Sequence, residues 1–433
     1  MRRFYLLCLL AYVLILLGLA VFSPVLLAAA LLVLAYLAAA LFTGPRSLEL
    51  SVERTTSSDR VVQDQPVRVH LKIENKGDNL EELLIHDRLP EGLELVSGEN
   101  RVMASLPSGE ILEMSYQVRA KRGMYTFPGL QISYADRLFV RPHQAQVPAP
   151  GRILVLPQAL RLKHIALRPR QTRSYTGNIA SRQGGPGVEF FGIRDFEAGD
   201  SLRHVNWRIS ARYEDRLFTN EYEQERAADV CLILDCRPAS NLVTESGSLF
   251  EHSVVATATL AQSLLAEGNR VGLLVYGYFL DWTYPAYGKL QRERILRALA
   301  RAKPGYSIVF EQLTNLPTRV FPVDSQIIFV SSLLSDDVPI LVRLRARGYS
   351  LMVLSPNPIA FEAQALEKAG RAVSPYFDKA VSLASLERSL IFSRLMHAGV
   401  HVIDWDIAQP FDQAMYRRLQ RLPSWFQPNR VLG

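Results

Sequence analysis

The sequence predicts a multi-domain protein: an N-terminal transmembrane helical hairpin, then an all-β sandwich, then an α/β domain built on a mainly parallel sheet. Three observations carry this. Two charge-free apolar stretches open the chain, a region of period-two alternation broken by turn residues follows, and strand-like and helix-like segments then alternate towards the C-terminus. The divisions fall at 1–44 for the hairpin, 45–150 for the sandwich, 151–226 for a connector and a dense polar segment, and 227–433 for the α/β domain.

The 433 residues, 48% hydrophobic and 21% charged, suffice for more than one buried core and exclude a disordered chain. The three cysteines, Cys8, Cys231 and Cys236, form no C-x-x-C pair, so a disulfide framework is not expected.

Phe4 to Phe22 and Pro24 to Phe42 carry no charge. Each is about 19 residues, close to the roughly 20 needed to cross a bilayer as a helix. Only Ser23-Pro24 separates them, and proline suits the first turn of a helix. A single cleaved signal peptide is the alternative, but here a second apolar stretch follows at once. Arg2 and Arg3 before the hairpin and Arg46 and Arg54 after it place both ends on the cytoplasmic side by the positive-inside rule. The expectation is a two-span protein of the inner membrane, in contact with lipid through the hairpin, its soluble domains facing the cytoplasm. The net charge of +7 suits an anionic inner leaflet.

After Gly44-Pro45, Leu48, Leu50 and Val52 alternate with polar residues, as do Val67, Val69, Leu71 and Ile73. Turn clusters at Asn75-Lys76-Gly77-Asp78, Pro90-Glu91-Gly92, Pro107-Ser108-Gly109 and Arg122-Gly123 punctuate the region at sandwich spacing. The run V-R-V-H-L-K-I-E-N-K-G followed by I-H-D-R-L-P-E-G-L resembles the immunoglobulin-like repeats of bacterial envelope proteins. No catalytic constellation occurs there, which points to a structural or spacing module.

Between Gly151 and Gly187 there is no acidic residue, while Arg152, Arg161, Lys163, Arg168, Arg170, Arg173 and Arg182 are all basic. Such a run is either a solvated connector or a strip facing anionic lipid. A nucleic-acid role is not expected, because Tyr175 alone offers stacking and no nucleic-acid fold signature accompanies it.

Val188 to Arg226 is the densest segment. It brings together Glu189, Gly192, Arg194, Asp195, Gly199, Asp200, Arg203, Asn206, Trp207, Arg212 and Glu221, a run too charged for a core and too aromatic for a linker. Gly192 and Gly199 suit tight turns that turn Arg194 and Asp195 outward. Arg–Asp pairs would brace such a loop. Trp207, with Arg208 and Arg212, reads either as a docking anchor or as a packing residue that fixes the segment to the next domain. The segment resembles the signature of the bacterial domain of unknown function 58 family, G-x-E-F-x-G-x-R-x-F-x-x-G-D-x-x-R-x-x-N-W-x-x-S-A-R. That resemblance implies partnership with a MoxR-type AAA+ ATPase, and a chaperone-like role in maturing or assembling envelope client proteins.

Further on, Asp229–Leu234, Arg270–Tyr276, Gln326–Val330 and Ser350–Leu354 read as strands, and Leu249–Ala266, Gln291–Ala302 and Val338–Arg347 as helices. In a parallel sheet of this kind ligands bind at the carboxyl ends of the strands, where Asp235 falls. This half resembles a von Willebrand factor A module, a Rossmann-like fold whose first strand leads into D-x-S-x-S around a divalent ion. Here Asp235 is kept, but Arg237 and Ala239 stand where the resemblance implies serines, and Ser240 is one place off. The threonine position falls near Ser307, and Ser332 stands where a later aspartate is implied. The expectation is a degenerate site without metal, with Arg237 in place of the ion, and no cofactor.

No phosphate-binding loop, zinc-protease or nucleophile-elbow motif occurs. Asp195, Asp200, His204 and Asn206 are the one acid–base cluster, so an enzyme using these carboxylates is an alternative to a non-catalytic adaptor or scaffold. A binder of anionic lipid through the basic segment is a third reading.

Overall fold

The computed structural model describes residues 2–42, 48–135, 142–160, 162, 173–213, 215–227, 229–245, 247–277, 280–305, 321–322, 325–370 and 376–419. It divides into two compact units, Met1–Leu156 and Pro157–Gly433.

The first unit opens with helices α1 (Arg2–Ala20) and α2 (Pro24–Phe42). Pro24 occupies the first helical position, where its missing N–H is not needed. The helices approach closely at Gly18, where a Cβ would lie 2.9 Å from Leu27 Cδ2. Ala11, Ala30 and Leu37 are buried between them. The hairpin is therefore present, but its expected role as two membrane spans is corrected: among the described residues no helix is long and apolar enough to cross a membrane. Each helix has 19 residues, and at 1.5 Å per residue such a helix measures ~28 Å, short of a ~30 Å hydrocarbon core. Arg2 and Arg3 lie inside α1 rather than before it, which shortens its apolar part further.

The sandwich follows as β1 (Leu50–Thr56), β2 (Arg60–Val62), β3 (Val67–Asn75), β4 (Leu80–Asp87), β5 (Leu93–Gly98), β6 (Arg101–Leu106), β7 (Ile111–Ala120), β8 (Gly123–Thr126), β9 (Leu130–Ala135), β10 (Pro142–Val147) and β11 (Arg152–Leu156). Two antiparallel sheets, β1-β3-β7-β5 and β10-β9-β4-β6, are joined by a small β2-β11-β8 sheet. Because β11 belongs here, the unit extends past residue 150. Alternate residues of β3 point inward, so Val69, Leu71 and Ile73 share a core with Leu83, Ile85, Val118, Leu130 and Ile132. An ion pair lies inside it. Arg54 Nη2 donates to Asp87 at 2.8 Å, Tyr116 OH donates to the other oxygen of the same carboxylate, and the guanidinium lies 4.0 Å from the centre of the Phe127 ring.

The second unit begins with a long ribbon in which β12 (Arg173–Asp195) pairs antiparallel with β13 (Phe218–Ala227); the short helix α3 (Trp207–Ser210) lies in the excursion between them. There follow β14 (Asp229–Asp235), the two-residue strands β15 (Val243–Thr244) and β16 (Gly247–Ser248), α4 (Leu249–Ala266), β17 (Arg270–Tyr276), β18 (Asp281–Ala286) and α5 (Gly288–Arg301). The unit continues with β19 (Gln326–Val330), α6 (Val338–Ala346), β20 (Ser350–Pro356), α7 (Pro358–Lys368), α8 (Phe377–His397), β21 (His401–Trp405) and α9 (Phe411–Leu419).

The six-stranded sheet has the order β18-β17-β14-β19-β20-β21, parallel throughout except for β18 at one edge. The central strands are apolar on both faces because helices cover both: α4, α5 and α9 share one core with the sheet, α6 and α8 the other. The chain leaves β14 for β17 on one side and returns to β19 on the other. The carboxyl ends of β14 and β19 therefore flank the switch point at which open sheets bind ligands.

Candidate functional site

Two places hold the residues singled out in the sequence. The first is the excursion between β12 and β13. Gly192 pairs with Glu221, Arg194 with Thr219 and Asp195 with Phe218, so Gly192 is a strand residue, which corrects its expected place in a turn. Gly199 is the residue that turns the chain, at φ +117°. Arg194 donates from Nη1 and Nη2 to both oxygens of Asp200, at 2.8 and 2.7 Å, and its Nε lies 3.8 Å from Glu221. The Glu197 N–H donates to Asp200 as well, at 2.9 Å. The bond from Arg194, and then that from Glu197, hold the Asp200 carboxyl below its ordinary range. Asp200 is thus an ionised brace for the loop.

Ser201 caps a 3-10 turn at Leu202–His204, and Asn206 caps α3 by accepting from the Ile209 N–H at 3.2 Å. Asn206 also donates to Asn220 at 2.8 Å, Ser210 Oγ accepts from the Phe218 N–H, and Thr219 donates to the His204 carbonyl. Val205, Ser210 and Thr219 are buried beneath this frame.

What the frame presents outward is apolar and cationic. Trp207 is 63% exposed and Leu202 66% exposed; Phe190, Tyr213 and Leu217 are exposed large apolar residues too. Arg203, Arg208 and Arg212 stand beside them, also exposed. From Ser201 to Tyr213 the chain has no acidic residue. Between the two readings of Trp207, the structure places the indole outside. The frame is held by Asn206, Ser210 and Thr219, not by the tryptophan. The side chain of Glu189 lies outside the described residues, as do most of the basic side chains of the 151–187 segment; Arg152 is on the surface in β11.

The second place is the switch point. Arg237, just past β14, is buried with a forked guanidinium between two carboxylates. Nε and Nη2 donate to Asp235 at 2.9 and 2.7 Å, and Nη1 and Nη2 to Asp337 at 2.9 Å each. Ser331 Oγ adds a 2.7 Å bond to Asp235, and the Leu334 N–H a 2.9 Å bond to Asp337. Burial alone would lower the pKa of this guanidinium, but the bonds and charges of Asp235 and Asp337 outweigh it and hold the group protonated.

The carboxylate expected to be missing at Ser332 is thus supplied by Asp337, five positions on. Ser332 itself donates to the Ser240 carbonyl at 2.8 Å. Ala239 is exposed, and Ser307 lies outside the described residues. Behind the cluster Arg388 of α8, also buried, donates to the Ser332 carbonyl, to Ser355 Oγ and to Asp404, tying together the ends of β19, β20 and β21. Both oxygens of each acid near Arg237 are taken by that cation and its neighbours, so these residues do not fit a divalent ion. Among the described residues no group of three or more His, Cys, Asp or Glu converges as metal ligands.

Asp337 and Arg388 were not among the residues read from the sequence. S-D-D-V-P before a helix reads as a helix start, and an arginine amid Leu and Ser in α8 reads as solvent-facing.

Comparison with known proteins adds the family. The model described as "Protein of unknown function DUF58" matches residues 192–354, from the signature through β20. No curated protein matches the chain. Among solved structures, the CARDB domain of a Pyrococcus furiosus protein is 13% identical, over 26% of this chain and 96% of that one, with a TM-score of 0.18. An Archaeoglobus fulgidus cohesin is 18% identical, over 25% of this chain and 91% of that one, at TM-score 0.18. Escherichia coli alpha-2-macroglobulin, from domain MG7 to its C-terminus, is 19% identical over 26% of this chain, which spans 24% of that structure, at TM-score 0.19. Such likenesses carry no argument about function. Residues 192–354 of the chain thus form a DUF58 domain.

Proposed function

We propose that the chain is a non-catalytic adaptor that docks a protein partner on its signature surface. The observation that carries this is Trp207, held 63% exposed on a loop braced from beneath. A large exposed aromatic in a segment that also exposes Arg203, Arg208 and Arg212, on a preorganised frame, has the composition of an interface anchor. The family resemblance supports a MoxR-type AAA+ ATPase as the partner and envelope protein complexes as clients. The resemblance to a von Willebrand factor A module, together with Arg237 held between Asp235 and Asp337, supports a metal-independent platform in the α/β unit. Exposed apolar side chains of the hairpin, among them Leu9, Leu31 and Leu32, support lipid contact that keeps the protein at the cytoplasmic face of the inner membrane.

The test is Trp207→Ala in the full chain, purified in mild detergent. The expected result is a loss of partner affinity on the order of 2 kcal/mol, with stability changed by no more than about 0.5 kcal/mol, as for a surface residue. Undiminished copurification of every partner contradicts the docking role. So does a stability loss of roughly 3–5 kcal/mol, the signature of a packed aromatic.

A further inference from the structure

Helix α8 is apolar on two opposite sides. Towards the unit it buries Arg388, Phe392 and Leu395 against the α6 side of the sheet. Away from it, Leu383, Leu386 and Leu390 are 61%, 62% and 59% exposed. At 3.6 residues per turn the two sets are centred roughly 170° apart, so the leucine stripe is the outermost line of the helix. An amphipathic surface helix carries polar residues there. Three leucines on adjacent turns, with exposed Tyr376 preceding the helix, make an exposed apolar face of the kind that marks interaction sites.

The charges on that face point to which partner. Lys379 and Glu387 are both exposed and lie four residues on either side of Leu383. When a second α8 crosses antiparallel, with a twofold axis at Leu383, each residue meets the one equally far on the other side of the axis. Leu383 then meets its own counterpart, Lys379 faces Glu387 of the second copy, and Leu390 faces Tyr376 of the second copy. Leu386 falls opposite the small Ala380. Each of these pairings occurs twice, as an isologous interface requires. The parallel arrangement in the same register sets Lys379 on Lys379 and Glu387 on Glu387. We propose that this stripe is a homodimer interface and that two chains associate through antiparallel α8 helices in this register.

The register makes the test specific. The full chain is kept in mild non-ionic detergent so that the apolar hairpin does not drive association, and its mass is followed by sedimentation. Leu386→Glu is expected to weaken the dimer by about tenfold or more, because it places a desolvated carboxylate in the apolar line. Glu387→Lys is expected to weaken it likewise, and Lys379→Glu combined with Glu387→Lys to restore it. Leu383→Cys, made together with Cys8→Ser, is expected to form an intermolecular disulfide on mild oxidation, since its twofold mate lies directly opposite; Cys231 and Cys236 are buried and do not compete. Ser385→Cys in the same background, on the polar flank of α8, is the control that stays unlinked. The α8 positions changed are all exposed, so the fold is retained, and unchanged melting verifies it. A monomer at all concentrations overturns the proposal. So does a dimer indifferent to Leu386→Glu, a charge swap that fails to restore association, or a Leu383→Cys chain that does not crosslink.

Discussion

Replacing Arg237 by alanine removes four hydrogen bonds of 2.7–2.9 Å and leaves Asp235 and Asp337 facing each other without a cation, both nearly inaccessible to water. The loss is not the net worth of an ion pair, which is small once desolvation is counted. It is the cost of a buried charge stripped of its partner, about 3–5 kcal/mol. For a unit of this size that lowers the melting temperature by on the order of 10 °C. Urea and thermal unfolding of the full chain, followed through the transition of the second unit, measure it. Adding Asp337→Asn to Arg237→Ala is expected to recover part of the loss, because one of the two uncompensated charges is gone, and a coupling of about 2 kcal/mol between the positions follows. Millimolar Mn²⁺ is expected to stabilise Arg237→Ala and to leave the parent chain unchanged, since only the variant offers free hard oxygens. A cost below about 1 kcal/mol, or strict additivity of the two substitutions, would refute the view that the guanidinium is the cation of this cluster. Stabilisation of the parent chain by Mn²⁺ would refute it equally.

Three further outcomes follow. In the sandwich, Arg54→Ala strands Asp87 in the core with Tyr116 as its remaining side-chain partner, and the first unit is expected to lose roughly 3–5 kcal/mol, read as an earlier, separate unfolding transition. Stability is also expected to fall as pH drops below about 6.5. Burial lowers the pKa of His252 and of His401 in the folded state, so below the unfolded-state value the unfolded chain binds more protons and stability rises with pH through that window. His252, edge-on to Phe361 and Trp405, carries part of this, and denaturant midpoints between pH 7.5 and 5 should flatten in His252→Gln; an unchanged slope excludes it. Asp200→Asn, which loses the charged half of the Arg194 brace, is expected to speed proteolysis between Phe196 and Leu217 without lowering the melting of the sheet; equal cleavage of both chains tells against the brace.

The β/α alternation was legible because parallel strands covered on both faces read as short apolar runs. Asp229–Leu234, Arg270–Tyr276 and Gln326–Val330 coincide with β14, β17 and β19 almost residue for residue. The edge strand β18 and the elements beyond β20 were not read. In α8 apolar residues lie on two opposite faces, with Arg388 buried beside Phe392 and Leu395 and three leucines outside, so periodicity does not single out the buried face. The switch-point cluster was half legible. Arg237 follows Asp235 by two positions, which local spacing reveals, whereas Asp337 lies a hundred positions away and joins them only through the order of the strands. The hairpin misled because its length sits at the threshold for crossing a bilayer, and composition alone does not show that Arg2 and Arg3 take up the first turn of α1. Exposure of Trp207 was beyond the sequence too, since the same residue type in the same motif serves equally as core or anchor until the frame beneath it is known.

The most direct measurement of the docking role is photocrosslinking in cells with benzoylphenylalanine at position 207, compared with the same probe at Tyr287, which is exposed just before α5. The account predicts a discrete protein adduct at 207, identifiable by mass spectrometry as an AAA+ ATPase or an envelope client, and none of that mass at 287. An adduct at 207 only to lipid, only to residues of the same chain, or of the same pattern as at 287 would contradict it.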